Sequence, residues 1–309
     1  MNDADPRMRA DGWRRAGPDD MEAVRAFASP RETWATGFSG RILGGDDGLD
    51  LPSRGRGGLY LHDDPGDSVN AAVLLTTTGT AFPLLGGPAS GAAVGKTDDA
   101  VEVLRGVRAS RVARSFAPHA CVGLEPHVEA LEAVMAWKPT LRVRYRSLYL
   151  DAVDWRPPSG YAGPAPRRAC AADLDSLLDI AEAYELEEVV TPLHRFDPDT
   201  CKAAQARSLA EHIVYLVESD GRAPLRRVVA RAQTNAHGWN RDQIGGVYVQ
   251  PELRGRGIGA AVVSALVGDI LSRGRSASLF VKKTNEQALR LYANLGFRLA
   301  GDFRVDYFS

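Results

Sequence analysis

The chain has 309 residues, of which 44% are hydrophobic and 25% are charged, and its formal net charge at neutral pH is −1. This is the composition of an ordinary globular protein, and the length suits two domains of roughly 100 to 200 residues each. A balanced charge gives no general field that would attract DNA or RNA, so nucleic acid is not an expected partner.

The cysteines and the start of the chain exclude further classes. Cys121, Cys170 and Cys201 are far apart and form no C-x-x-C pair, which argues against a disulfide framework and against a zinc site. Residues 1–15 are polar, and no stretch approaches the roughly 18 apolar residues that a membrane span requires. We therefore expect a cytoplasmic location and no membrane partner.

The first half of the chain alternates apolar runs with helical patterns. In chain order the patterns predict helix at 19–27, a glycine-rich connection at 37–58, strands at 59–62, 69–76 and 81–85, helix at 98–107, strand at 111–116, helix at 126–137 and strand at 141–150. The predicted order after the first helix is therefore β, β, β, α, β, α, β.

A segment rich in proline and glycine follows at 154–166. Its four prolines and two glycines exclude both a helix and a sheet ladder. We interpret it as an interdomain linker between an N-terminal domain, residues 1–153, and a C-terminal domain, residues 167–309.

The second half shows clearer periodicities. They predict a strand beginning at 167–170, helices at 172–186 and 198–210, strands at 213–218, 227–234 and 243–249, helix at 257–272, strand at 276–281, helix at 285–297 and a last strand at 303–308. This alternation indicates an α/β fold with one mixed sheet.

The strand at 243–249 leads into a glycine loop with Gly255, Gly257 and Gly259 at alternate positions, followed directly by a helix. Glycines free the backbone to turn, so that successive N–H groups can face an anion at the positive end of that helix. The G-x-G-x-G spacing differs from the G-x-G-x-x-G of a Rossmann loop, and a dinucleotide site is therefore disfavoured.

Two motifs in this half resemble motifs A and B of the GNAT N-acetyltransferase superfamily. Arg254, Gly257 and Gly259 match the Gln/Arg-x-x-Gly-x-Gly/Ala loop of motif A. In motif B an Asn is followed seven residues later by a Tyr and then by Leu-Gly-Phe, matched here by Asn285, Tyr292 and residues 295–297. The resemblance covers residues 167–309.

The resemblance implies the GNAT fold, acetyl-CoA as the acyl donor, no metal, and direct transfer of acetyl to a primary amine. It makes Tyr292 the catalytic acid that protonates the leaving thiolate. The implied cofactor-binding residues are Val247, Tyr248, Val249, Arg254, Gly255, Arg256, Gly257, Ile258, Gly259, Ala260, Asn285, Ala288 and Tyr292. The acceptor is expected to be a small-molecule amine. The alternatives are a non-catalytic acyl-CoA sensor and an acetyltransferase of protein lysines or N-termini.

The general base and the acceptor site are less defined. Glu187, Glu188 and His194 belong to the loop that in this fold covers the acceptor, and we expect that loop to set specificity. The carboxylates that remain candidates for the base are Glu187, Glu188, Glu218 and Asp242, beside the imidazoles of His194 and His237.

The first half is interpreted as a degenerate repeat of the same fold. Residues 145–149 echo residues 303–307, and the predicted element order matches the later part of the GNAT plan. Its counterpart of the glycine loop, residues 86–97, lacks the motif, so cofactor binding there is not expected. His119, Cys121 and His127 have no fourth ligand nearby and predict no metal. This half would shape the acceptor site or a homodimer interface.

Overall fold

The computed structural model describes residues 12–44, 57–66, 68–86, 97–193, 195–220 and 227–309. Most of the predicted glycine-rich connection, most of the loop at 86–97, and His194 lie outside these residues. Within them, the chain forms one twelve-stranded mixed sheet with helices on both faces. None of the helices in the described ranges is long and apolar enough to span a bilayer.

The first half contains six strands and five helices among the described residues. They are β1 (Trp13–Arg15), α1 (Met21–Ala28), α2 (Glu32–Leu43), β2 (Gly58–Asp63), β3 (Val69–Leu75), β4 (Thr80–Leu85), α3 (Thr97–Leu104), α4 (Arg111–Ser115), β5 (Ala120–Leu124), α5 (Glu125–Met135) and β6 (Leu141–Leu150).

The second half repeats this order, with one helix instead of two between its fourth and fifth strands. Its elements are β7 (Arg167–Arg168), α6 (Leu174–Tyr184), a π-helical turn (Glu185–Val189), α7 (Pro198–Glu211), β8 (Val214–Glu218), β9 (Val228–His237), β10 (Arg241–Val249), α8 (Ile258–Ser272), β11 (Ser276–Lys282), α9 (Glu286–Asn294) and β12 (Arg298–Tyr307). Residues 155–166 between the halves carry no helix or strand. The division into two domains at this segment stays a prediction.

The sheet order is β1-β2-β3-β4-β5-β12-β6-β11-β10-β9-β8-β7. The order is symmetric about its centre except that the last strand of each half has changed places. β12 lies beside β5, with Phe303 opposite Leu124, and β6 lies beside β11, with Leu148 opposite Leu279. The two echoing segments are the central antiparallel pair, where Phe303 faces Tyr145. The expected internal repeat and the mixed α/β class are confirmed. The predicted helix at 19–27 is α1, and the first half also contains β1 and α2, which its sequence did not reveal.

The predicted strand at 111–116 is wrong. Residues 111–115 form α4, whose first turn is capped by the Ser110 hydroxyl, which accepts a hydrogen bond of 3.4 Å from the Ala113 amide. Serine is a preferred N-cap residue, because its hydroxyl accepts from an amide of the first turn, and this signal outweighs the alternation that suggested a strand. The strand of this region is β5, at Ala120–Leu124, which the pattern had not indicated.

Helix α2 was also missed, because Gly37 and Gly40 suggested a loop. Gly40 instead allows this helix of the first half to pack closely on the second. A Cβ at Gly40 would lie 3.0 Å from the Ala236 Cβ and 3.2 Å from the His237 amide nitrogen. At the start of the same helix, the fully buried Glu32 carboxylate accepts hydrogen bonds of 2.6, 2.8 and 3.1 Å from the backbone amides of residues 239–241.

Two apolar layers hold the second half of the sheet. Helix α8 is buried on β8–β11 through Val262, Leu266 and Ile270, which belong to one core cluster. On the opposite face, α6 packs Leu177 and Ile180 against a separate cluster. The sheet between these layers presents the carboxyl end of β10 to the glycine loop, which places the site described next.

Candidate active site

The site begins where two parallel strands separate. β10 pairs with β11 only from Arg241 opposite Ser276 to Ile244 opposite Leu279. Beyond Ile244, β10 carries a bulge. Gly245 faces Gln233 on β9 and Tyr248 faces Arg231, so three steps along β10 correspond to only two along β9. A bulge bends its strand and increases the local twist, and here it turns β10 away from β11.

The bulge requires glycine. Gly246 has φ +55°, and a Cβ there would lie 3.0 Å from Arg231 Nη2 and 3.1 Å from Gln233 Cγ. Both the left-handed backbone and the lack of space exclude larger residues without rearrangement. The gap between the strands is therefore a consequence of this local sequence.

A cavity of about 960 Å³ occupies the gap. Its lining contains twelve of the thirteen residues expected to bind the cofactor, together with both expected acceptor carboxylates. They are Val247, Tyr248, Val249, Arg254, Gly255, Gly257, Ile258, Gly259, Ala260, Asn285, Ala288, Tyr292, Glu187 and Glu188. The exception, Arg256, is exposed and is not part of the lining.

The glycine loop forms the end of the cavity next to α8. Gly255 and Gly257 have φ of +78° and +80°, values that glycine adopts most readily. Gly257 is the N-cap of α8 and offers no side-chain cap, so the first amides of the helix are left for another acceptor. A Cβ at Gly259 would lie 3.1 Å from Leu291 Cδ1, and glycine there allows α9 to approach. The arrangement fits an anion at the positive end of α8.

Both carboxylates of the cavity lining are ion-paired. Glu187 Oε2 accepts hydrogen bonds of 2.8 Å from Arg254 Nη2 and 2.8 Å from the Tyr248 hydroxyl. The bond from Arg254 is the main reason that the pKa of Glu187 is lowered, whereas burial and then the bond to Glu187 raise that of Tyr248 to about 12. Glu188 pairs with Lys282 Nζ at 2.8 Å.

The comparisons with known proteins agree with this geometry. The family model described as FR47-like protein matches residues 240–307, which run from β10 through the glycine loop to β12. An acetyltransferase from the GNAT family of Colwellia psychrerythraea is 11% identical, with 96% of this chain and 99% of that one covered and a TM-score of 0.55. A tandem GNAT protein from the clavulanic acid biosynthesis pathway is 15% identical, with 96% and 98% covered and a TM-score of 0.52.

Both halves have the GNAT fold. A GCN5-related N-acetyltransferase from Sphaerobacter thermophilus is 18% identical, with 95% of this chain and 93% of that one covered and a TM-score of 0.54. At such identities the likeness shows the fold alone. No curated protein matches the chain.

In the second GNAT unit, two tyrosines meet at the cavity. Tyr292 is 6% exposed and packs edge-to-face on Phe297 with ring centres 5.5 Å apart. Burial raises its pKa above the ordinary value of a phenol. Tyr184 also lines the cavity, and burial raises its pKa. Tyr184 is about 60 residues away from the glycine bulge along the chain, and no motif in the sequence indicates that both line one cavity.

Asn285, the other residue of the second motif, caps α9. Its Oδ1 accepts a hydrogen bond of 3.0 Å from the Ala288 amide. Its side chain therefore fixes the start of the helix that carries Tyr292, and it lies at the cavity edge at the same time.

Three of the candidate bases lie away from the cavity. Glu218 pairs with Arg167 at 3.1 Å near the outer edge of the sheet. Asp242 is 1% exposed and accepts hydrogen bonds from Arg275 and His237 at 2.8 and 2.9 Å. Neither Glu218, Asp242 nor His237 belongs to the lining of this cavity. The remaining candidate imidazole, His194, lies outside the described residues.

The segment between the halves contributes a part of the site that the sequence did not indicate. Arg156, Pro157, Pro158 and Ser159 line the cavity, and the Arg156 amide donates a 3.1 Å hydrogen bond to the Leu295 carbonyl. The proline content of this segment predicted that it is irregular, but it did not predict that the segment runs along the cavity. Tyr145 of β6 also reaches the lining, because β6 lies beside β11.

The first GNAT unit differs at the equivalent strands. β4 and β5 pair in parallel at two positions, Thr80 opposite Ala120 and Ala81 opposite Cys121. Pro83, which has no N–H to offer a ligand, then follows in β4 where β10 has its glycine bulge. Among the described residues, no group of three or more His, Cys, Asp or Glu side chains could hold a metal ion.

Proposed function

We propose that the chain is an acetyl-CoA-dependent N-acetyltransferase that acylates the primary amine of a small molecule, with the donor held by the second GNAT unit. The observation that carries the proposal is the gap between β10 and β11, which ends at the uncapped start of α8. An extended molecule with an anionic group at one end fits this shape.

The residues of the gap supply the contacts that coenzyme A needs. The amides of residues 254–260 would hold the pyrophosphate, because all of these residues except Arg256 line the cavity at the positive end of α8. The edge of β10 at residues 247–249 has no partner on β11 and would pair with the pantetheine arm as with an added strand. An arm that runs back from the loop along β10 places the thioester near Gly245 and Gly246.

The reaction then uses groups that lie at that point. The acceptor nitrogen forms a bond to the thioester carbon, and backbone amides of residues 247–249 stabilise the oxyanion while the carbon–sulfur bond breaks. Tyr292 gives its proton to the departing sulfur and recovers one from the acceptor nitrogen, so that no proton is lost or gained overall. The raised pKa keeps the Tyr292 hydroxyl protonated before each turnover.

The donor assignment is tested by calorimetric titration of the whole chain with acetyl-CoA. We expect one site per chain, lost in Gly259→Asp, which sets a carboxylate among the amides that would hold the pyrophosphate. The circular dichroism spectrum of this variant checks that it still folds. Absence of binding to the folded wild-type protein would refute the cofactor assignment.

The chemical role of Tyr292 is tested with a panel of primary amines, with release of free thiol as the readout. Tyr292→Phe should lower kcat by about a hundredfold or more while the Kd for acetyl-CoA stays the same. An unchanged kcat would remove Tyr292 from the mechanism. Binding of acetyl-CoA without transfer to any amine or peptide would favour an acyl-CoA sensor, and transfer to peptides alone would favour a protein acetyltransferase.

A further inference from the structure

A second cavity, of about 850 Å³, lies between the two GNAT units. Helix α2 of the first unit forms one side and α7 with the end of β9 forms the other. Asn235 and Phe280 line both this cavity and the donor cavity, so the two spaces adjoin. The volume lies in the range of sites that enclose a whole small ligand.

The junction of the two cavities, at Asn235 and Phe280, lies beside the bulge of β10. The thioester is expected at that bulge. The Asn235 side chain leaves no room for a Cβ at Gly245, and its Oδ1 accepts a 2.9 Å hydrogen bond from Gln243 Nε2. Asn235 is exposed and Phe280 is half-buried, which is consistent with an open junction. A molecule in the second cavity would therefore meet the donor at residues 245–246.

We propose that this second cavity is the acceptor chamber and that it takes a monoamine carried on an aromatic or similarly broad apolar body. The assignment rests on the proposed function, and it deepens it by naming the acceptor class. It also gives the first GNAT unit a role, since α2 of that unit becomes a wall of the site.

The lining of the acceptor chamber supports an apolar acceptor. Five aromatic side chains contribute to it: Trp34, Phe38, Phe82, Phe280 and Phe303. The polar groups nearest the junction are the neutral amides of Gln233, Asn235 and Gln243. Such a surface binds a flat apolar body and directs a single polar group toward the amides.

The charges of the chamber argue against a polycation. Among the described lining residues Glu211 is the single carboxylate, and it is accompanied by Arg41 and Arg207. Of the two lining histidines, His212 has a lowered pKa, because burial and the neighbouring His237 both disfavour its charged form. A polyamine or a lysine-rich peptide would face more positive than negative charge there, and this repulsion disfavours it.

Gly37 offers a way to fill the chamber without disturbing the fold. It lies in α2, and a Cβ there would make only ordinary contacts, 3.5 Å from Gln243 Oε1 and 4.0 Å from Phe82 Cε1. Replacing a helical glycine also favours the helix by up to about 1 kcal/mol. Gly40, one turn away, differs because it packs on Ala236 with no spare room.

The experiment compares wild-type protein, Gly37→Leu and the control Gly37→Ala, with 2-phenylethylamine and spermidine as probes. The wild-type kcat/KM should be higher for 2-phenylethylamine than for spermidine. Gly37→Leu should raise the KM for 2-phenylethylamine by about tenfold or more and leave the Kd for acetyl-CoA unchanged, whereas Gly37→Ala should resemble wild type. Calorimetry of 2-phenylethylamine without the donor should show the same loss of binding in Gly37→Leu.

The inference is overturned if spermidine is the better acceptor, if 2-phenylethylamine neither binds nor reacts, or if folded Gly37→Leu binds it as wild type does. Failure of the wild-type protein to bind acetyl-CoA is a separate result, which would refute the proposed function. The amine titration without the donor still decides whether the chamber binds the probe.

Discussion

The buried Glu32 carboxylate provides the most direct test of how the two halves are joined. Glu32→Gln keeps the size of the side chain and removes its charge. The native carboxylate accepts from three consecutive amides, of residues 239–241, with Oε2 serving two and Oε1 serving one. The amide of glutamine can serve two of them at most, and its NH2 group would then point at the third N–H.

The expected loss follows from these contacts. Hydrogen bonds to a charged group contribute about 1.5 to 3 kcal/mol each and neutral ones about 1, so the loss of one bond and the weakening of two cost about 2.5 to 7 kcal/mol. The free energy of unfolding, measured with urea, should fall by this amount. Glu22→Gln on the exposed face of α1 is the matched control and should change stability by less than about 0.5 kcal/mol. A loss below about 1 kcal/mol in Glu32→Gln would refute the argument.

Three further changes have expected outcomes. Glu187→Gln removes the half-exposed ion pair of Glu187 with Arg254, which contributes up to about 1 kcal/mol, and leaves Arg254 to bind the donor. Calorimetry at low salt should therefore show a Kd for acetyl-CoA up to about fivefold lower, and a higher Kd would contradict this role of Arg254. Burial, and then Asp306, raises the pKa of Glu132. Because the folded state then holds a proton that the unfolded chain releases above about pH 4.5, the stability of the fold should decrease as the pH rises above that value. Glu132→Gln should flatten this slope in Tm against pH, and an equally steep slope would exclude Glu132 as its source. Gly246→Ala should lower Tm and weaken acetyl-CoA binding, because its Cβ would crowd Arg231 Nη2 at 3.0 Å; unchanged binding would show that the bulge does not shape the gap.

The parts of the fold that sequence predicts well are those with a strong local signal. Helix α8 and β6 were predicted to within a residue, because a long apolar face and a regular strand pattern leave little choice. Helix α2 was missed because Gly37 and Gly40 disfavour a helix locally, whereas the close contact of Gly40 with the distant strand β9 exists only in the folded chain. The exchange of β6 and β12 has no local signal at all, since both strands have the same pattern.

The same distinction applies to the site. The glycine loop and Tyr292 were recognisable as motifs and lie together at the cavity. The pairing of Glu187 with Arg254 depends on the π-helical turn after α6, which periodicity does not indicate. The acceptor chamber involves α2, α7 and the end of β9, and residues that meet only in the folded chain are not visible as a motif.

The exchanged strands have a consequence for how the protein is made. β5 of the first half finds its neighbour in β12, more than 170 residues later in the chain, so that sheet stays incomplete on the ribosome until the second half has been translated. Until then, the edge of β5 in the first half would remain unpaired. A nascent chain that stalls within α9 would therefore contain two incomplete units, not one complete unit and one missing unit. Removing residues 298–309 should therefore make the first half as sensitive to protease as the second.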